Sequence, residues 1–169
     1  PDGYTMLLGS SGMMTINTVF VTKPTYDPLK DFVGTSTIAL APIILVTHPS
    51  LPVKTAQDLV KLAKSKPGQI NYASSGNGSV AHFAGEFFKI NAGVDIVHIP
   101  YRGITQAVID VTSGAAQMMI VSPLSALPLA RAGKLRLLAV TSANRAQALP
   151  EVPTVREGGL KDFEFSSAY

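Results

Sequence analysis

Short apolar runs alternate along this chain with amphipathic stretches at helical spacing. Tyr4 to Leu8 reads as a short buried strand, Gly9-Ser10-Ser11-Gly12 as the turn after it, and Met13 to Val21 as a modest helix. Residues 24–28 are loop. Phe32 to Leu40 and Ile43 to His48 read as two extended segments hinged at Ala41-Pro42, because proline cannot donate to a central ladder. Thr55 with Asp58 three residues on forms a capping box, and Ala56, Leu59, Val60 and Ala63 make one helical stripe that Pro67-Gly68 terminates. Gln69 to Ala73 is a strand. A glycine-rich turn, Ser74 to Ser79, leads into a helix with Val80, Phe83, Ala84, Phe87 and Phe88 on one face, ending at Gly93.

The same alternation continues. Ile96 to Ile99 is a strand, Pro100-Tyr101-Arg102-Gly103 a loop, Thr105 to Thr112 a helix ending at Gly114, and Gln117 to Val121 a strand. Ser122-Pro123 starts a helix in cap-then-proline order, Gly133 ends it, and Leu135 to Thr141 is the next strand. One helical turn near Thr154 and a strand at the end of the chain complete the reading. Strands joined by helical crossovers predict an α/β architecture with mostly parallel pairing. Such sheets bind ligands at the carboxyl ends of their strands, which here are followed by Gly9–Gly12, Ser74–Ser79, Tyr101–Gly103 and Ser122-Pro123.

Each turn admits a chemical reading and a bland one. Gly76 to Ala81 matches the G-x-G-x-x-A dinucleotide pattern after a strand and before a helix, so a dinucleotide-binding enzyme is the alternative function. The acid expected further on, Asp95, precedes its strand, whereas a ribose-binding acid belongs beyond the strand's carboxyl end. Free amides at a helix start, with the Ser79 hydroxyl and the positive end of the dipole, also make a seat for a carboxylate or phosphate. Ser79 as a plain helix cap is the competing reading; it leaves Gly76, Asn77 and Gly78 unexplained. His82, three residues after Ser79, faces either a ligand or the packed interior. Tyr101-Arg102-Gly103 places an aromatic and a guanidinium at a strand end, suited to stacking plus a carboxylate fork or to ordinary surface roles. His48 and His98 lie on strands as structural residues.

Composition removes several classes. No cysteine is present, so disulfides, thiol nucleophiles and cysteine zinc sites are excluded, and the three histidines lack metal-ligand spacing. No G-x-S-x-G string and no close carboxylate pair suggest catalysis. Basic residues without interleaved aromatics argue against nucleic acid. Residues 41–142 carry nine basic and four acidic side chains, the flanks five and seven, so the middle of the chain favours an anionic partner. The ends, Pro1-Asp2-Gly3 and the strand-like run to Tyr169, have the look of a piece of something longer.

Several blocks stand in a familiar order: Pro1-Asp2-Gly3-Tyr4-Thr5, Tyr26-Asp27-Pro28-Leu29-Lys30-Asp31-Phe32, Lys66-Pro67-Gly68, Tyr72 to Ser79 with His82, Ala92-Gly93-Val94, Pro100-Tyr101-Arg102-Gly103, Ala132 to Arg136, and Leu149 to Thr154. Together they resemble the Bug family, the extracytoplasmic solute receptors of tripartite tricarboxylate transporters, over essentially the whole chain. The resemblance implies a two-lobed α/β periplasmic-binding-protein fold (type II, Venus-flytrap) with one lobe complete and the other partial. It places 1–40 and 143–169 in the first lobe and 41–142 in the second, with crossings near Ala41-Pro42 and Thr141-Ser142. It implies a non-enzymatic periplasmic receptor that captures a small organic acid or similar polar solute and delivers it to membrane permease subunits, with no cofactor or metal. Ligand contacts then fall on Ser10 and Ser11 of the first lobe, and on Ser75, Gly76, Asn77, Gly78, Ser79, His82, Tyr101, Arg102 and Gly103 of the second. Two positions depart from the family pattern: Val121 where aspartate is frequent and Ala168 where tryptophan is common. A polypeptide of these residues alone is expected to aggregate or swap through exposed edges such as Met6-Leu7-Leu8.

Overall fold

A computed structural model of the chain describes residues 3–16, 18, 23 and 25–169. Strand β1 (Leu40–Pro42) ends on the hinge proline, and β2 (Ile44–Thr47), buried at every position, follows after one residue. Helix α1 (Ala56–Ser65) starts at Thr55, whose hydroxyl accepts from the Asp58 amide while the Asp58 carboxylate accepts from the Thr55 amide. That reciprocal pair satisfies two N–H groups the helix cannot satisfy itself. Strand β3 (Asn71–Ser74) leads into helix α2 (Val80–Ala92), which Ser79 caps and Gly93 closes in the left-handed region at φ 59°. Next come β4 (Val97–Pro100), α3 (Ile104–Ser113), β5 (Met118–Val121), α4 (Pro123–Arg131) and β6 (Arg136–Val140). A long irregular stretch then reaches β7 (Ser166–Ala168).

Five strands form one sheet in the order β4-β3-β5-β2-β6, and β1 pairs with β7 in a separate antiparallel ribbon. Strand β3 is parallel to β4 and β5, as the crossover helices require, but β2 is antiparallel to both β5 and β6. The sheet is therefore mixed rather than mostly parallel. Strand β2 arrives from the ribbon instead of from a helical crossover, so nothing obliges it to run with its neighbours, and it inserts between β5 and β6 from the opposite direction. Successive residues of the central strands feed opposite faces. Leu45, Met118 and Ile120 join Tyr72, Phe88 and Ile96 on one side, and Ile44, Val46 and Met119 join Ala107 and Val111 on the other.

The flanks differ more from expectation. Tyr4 to Leu8 forms no strand, with Tyr4 90% and Met6 84% exposed, because no described strand lies alongside to complete a ladder. The helix expected over Met13 to Val21 is seen as one π-type turn, Gly12–Ile16; Asn17 and residues 19–22 lie outside the described residues. Phe32 to Leu40 enters a ladder only at its end, where the Ile38 and Ala39 amides donate to the Tyr169 carbonyl. Near Thr154 the expected turn is single and does not propagate: the Gly158 amide donates to the Thr154 carbonyl, and two glycines follow each other there. Residues after β6 also enter the sheet's core, with Leu149 and Val152 on one face and Val155 and Phe163 on the other.

Three chain segments meet at Thr141. Its amide donates to the Ile43 carbonyl and its carbonyl accepts from the Phe165 amide. Its buried hydroxyl lies 3.1 Å from the Ile43 amide, 2.9 Å from the Ile43 carbonyl and 2.6 Å from the Phe165 carbonyl. One side chain therefore pins the places where the backbone passes between ribbon and sheet.

Candidate functional site

The carboxyl ends of β3 and β4 bring two loops together. The Tyr101 amide donates to the Ser74 carbonyl, so loop 101–103 leaves beside loop 75–79. Gly76, at φ 126°, approaches so closely that a Cβ there would sit 3.2 Å from the Tyr101 carbonyl oxygen. A side chain would strain the backbone and push the loops apart, which is the physical reason for glycine. Gly78 is at φ 76° and Gly103, which precedes α3, at φ 112°.

Loop 75–79 is held from beneath by side chains. The Ser74 hydroxyl accepts from the Gly76 amide at 3.1 Å and pairs with His98 Nε2 at 2.7 Å. The His82 Nδ1 accepts from the Gly78 amide at 3.2 Å, and Ser79 Oγ accepts from the His82 amide at 3.2 Å. The rings form a column: His82 stacks on His98 with centroids 4.1 Å apart, and His98 on Tyr72 at 4.8 Å. Tyr72 in turn donates to the Glu86 carboxylate at 2.6 Å. Burial, reinforced by His82, holds His98 down to about 4, so its ring is neutral at physiological pH. Burial and the Glu86 carboxylate raise the Tyr72 phenol well above the usual tyrosine range.

The upper side of the loop is open. Among the described residues, the amides of Asn77, Val80 and Ala81 have no acceptor, and the side chains of Ser75, Asn77 and Arg102 have no hydrogen-bond or ionic partner. Three N–H groups without acceptors lie at the positive end of α2, and Arg102 on the neighbouring loop is exposed, an arrangement chemically able to hold an anionic group. Tyr101 is half-buried; burial and the Asp110 carboxylate push its phenol up to about 12, so it stays a hydrogen-bond donor. Among the described residues, no three His, Asp or Glu side chains converge as metal ligands.

The residues expected at the site divide into three groups. Ser75, Gly76, Asn77, Gly78, Ser79, Tyr101, Arg102 and Gly103 come together as two touching loops. His82 is with them, but its Nδ1 is turned to the Gly78 amide beneath the loop. Ser10 and Ser11 lie apart from these loops, against the β1–β7 ribbon: Ser11 Oγ accepts from the Ala168 amide at 2.8 Å, tying its loop to β7, and Ser10 Oγ accepts from the Met13 amide at 3.4 Å. A Cβ on Gly12 would meet Val80 Cγ2 at 3.5 Å, so this loop touches the start of α2. A large cavity lined by Ser10, Ser11, Met14, Thr35 and Tyr169 contains none of residues 75–79 or 101–103. Ser79 does cap its helix, yet the hydroxyl that accepts from His82 keeps its own hydrogen to donate. Sequence patterning marks His98 and Ser74 only as strand and turn residues; a lone histidine in the apolar run Val97-His98-Ile99 is the one signal it offers. Asp95 sits at the far end of the sheet from loop 75–79, ion-paired with Lys89 at 3.8 Å and with its carbonyl accepting from the Gly68 amide, so Asp95 does not stand where a ribose would need its acid.

Comparison with known proteins points one way. The family described as "tripartite tricarboxylate transporter family receptor" matches residues 1–169. The chain is 35% identical over 163 residues to BugT of Bordetella pertussis, covering 96% of this chain and 50% of that protein. A Rhodopseudomonas palustris structure with adipate superposes with a TM-score of 0.91 at 35% identity, over 99% of this chain and 56% of the other. MatC from the same organism, with bound malate, superposes with a TM-score of 0.84 at 26% identity, over 95% of this chain and 54% of MatC. The chain thus spans about half the length of the proteins it matches.

Proposed function

This chain belongs to the receptor family of the tripartite tricarboxylate transporters and has its α/β solute-binding fold, and from that premise we propose that it captures a small organic acid through the paired loops 75–79 and 101–103. The free amides of Asn77, Val80 and Ala81 beside the unpartnered Arg102 carry this reading, because they supply donors and positive potential with no acceptor of their own. Adipate and malate in the related structures are of the chemical class these donors suit.

In this reading Ser75 and Ser79 add hydroxyl donors around the carboxylate, Tyr101, its hydroxyl held by Asp110, lines the seat with its ring, and the loop of Ser10 and Ser11 faces it from the other lobe. The lobes divide as 1–40 with 143–169 and 41–142, with Thr141 at the crossing. The protein works in the periplasm without catalysis and passes its solute to permease subunits of the transporter. Closure follows from contacts the solute makes better when both lobes surround it. Calorimetry and thermal shift on the intact protein against mono-, di- and tricarboxylates test this. Binding of at least one is expected, weakened about tenfold by Arg102→Gln through loss of a charge-assisted bond. No response to any carboxylate overturns the reading.

A further inference from the structure

We propose that His82 and His98 are positioning residues, whose stacked imidazoles anchor the Gly76 and Gly78 amides of loop 75–79 so that the Asn77 amide and the first amides of α2 point at the solute. This rests on the loop being the carboxylate seat proposed above, and adds how its shape is maintained.

Gly76 and Gly78, at positive φ angles of 126° and 76°, give their amides to side chains, and the Ser79 amide donates to the Gly76 carbonyl, while among the described residues the amides of Asn77 in the loop and of Val80 and Ala81 in the first turn of α2 stay without acceptors. Each glycine amide ends on its own acceptor: Gly76 on Ser74 Oγ, Gly78 on His82 Nδ1. Ser74 is in turn held by His98 Nε2 at 2.7 Å, and His98 is sandwiched between the rings of Tyr72 and His82. Both anchors therefore run into one column of rings, and neither end of the loop can turn over without breaking it.

The chemistry of the column is restrictive. To accept from Gly78, His82 must carry its hydrogen on Nε2 and leave Nδ1 bare. Protonating His82 would abolish that acceptor, and charging both rings would set like charges at a 4.1 Å stacking distance. Among the described residues, Tyr72 on β3 and Glu86 on α2 are titratable groups at the column; Tyr72 already donates to Glu86, and His98 is held neutral by burial. A phenylalanine at position 82 would preserve the stack but supply no acceptor, and asparagine would offer a carbonyl oxygen where Nδ1 stands.

Amide exchange by NMR on the intact, ligand-free protein reads the anchoring directly. His82→Phe is expected to speed exchange of the Gly78 amide about tenfold relative to Ile120 in the core, and His82→Asn to restore most of the protection. Adipate affinity should follow the same order, His82→Asn lying between wild type and His82→Phe. Unchanged Gly78 protection in His82→Phe overturns the proposal, as does equal loss of protection at Gly78 and Ile120. Nitrogen-15 spectra of the wild-type imidazoles provide a measurement that needs no variant: a bare Nδ1 on His82 at neutral pH supports it, and an Nδ1–H tautomer overturns it. If the wild type binds no carboxylate while Gly78 protection depends on His82, the function falls and the anchoring stands. If it binds adipate and His82→Phe binds equally well, the link from anchoring to affinity falls alone.

Discussion

At the scale of single residues, the decisive groups are those with one chemical task and no substitute. Gly76 is one, since only a residue without Cβ permits both its φ of 126° and its approach to the Tyr101 carbonyl. Glu157 is another. Its carboxylate accepts from Arg145 Nε and Nη2 at 3.1 and 2.9 Å and from the Thr154 amide at 2.6 Å, while the Glu157 amide donates to Thr154 Oγ1. Arg145 also donates to the Pro150 carbonyl, so this cluster holds the irregular stretch after β6 in shape. The guanidinium, then the Thr154 amide, pull the Glu157 carboxyl down from 4.5 to about 2. With a folded-state value below the unfolded one, the unfolded chain takes up the proton first, so the stabilisation is complete above about 4.5 and is lost as pH falls towards about 2. The difference in urea midpoint between wild type and Glu157→Gln should therefore shrink over that window, and a difference independent of pH would refute the assignment.

At the scale of elements, the best-defined unit is β3, loop 75–79 and α2. Tyr72 from β3 lies under α2 and reaches Glu86, and it can do so because Gly85 presents no side chain. A methyl added at Gly85 would collide with the Tyr72 ring. Since Tyr72 is the base of the ring column, Gly85→Ala is expected to cost about 1–3 kcal/mol through overpacking. Thermal unfolding would read that loss, and the same variant should displace the His98 imidazole resonances; an alanine variant as stable as wild type would contradict the packing described. Most of this unit was legible beforehand. Ser79 as a cap, Gly93 as a stop and the apolar face of α2 follow from local rules that depend on residues three or four apart. Gly85 was not legible, because its reason is a ring thirteen residues away in sequence that arrives only by tertiary packing.

For the whole molecule, the question is how ribbon and sheet are joined. Thr141 gathers the strand leading into β2, the end of β6 and the approach to β7 through one buried hydroxyl. Thr141→Val keeps the shape but leaves the Ile43 amide without its acceptor, with an expected loss of about 1–3 kcal/mol for a buried unsatisfied donor. Hydrogen exchange should quicken first at Ile43 and Phe165, and a variant with unaltered protection at both would show that the crossing is held by other contacts. The charge distribution belongs to the same scale: residues 41–142 carry nine basic and four acidic side chains, a balance that lysines on solvated helix faces account for as well as an anionic ligand does.

By itself the sequence determined where most helices and strands of the central sheet lie, which turns sit at strand ends, and to which family the chain belongs. These follow from caps, stops and periodicity, which are local, and from motif order, which needs no coordinates. Only the tertiary structure decided that β2 inserts antiparallel, that Ser11 spends its hydroxyl on Ala168, and that Tyr72, His98 and His82 stack under the loop. Each of those pairs residues well separated along the chain, and strand direction, hydroxyl partners and ring stacking are settled by which surfaces meet. A histidine in an apolar strand reads as a packed residue until the serine and the second ring that use it are brought to within hydrogen-bonding and stacking distance.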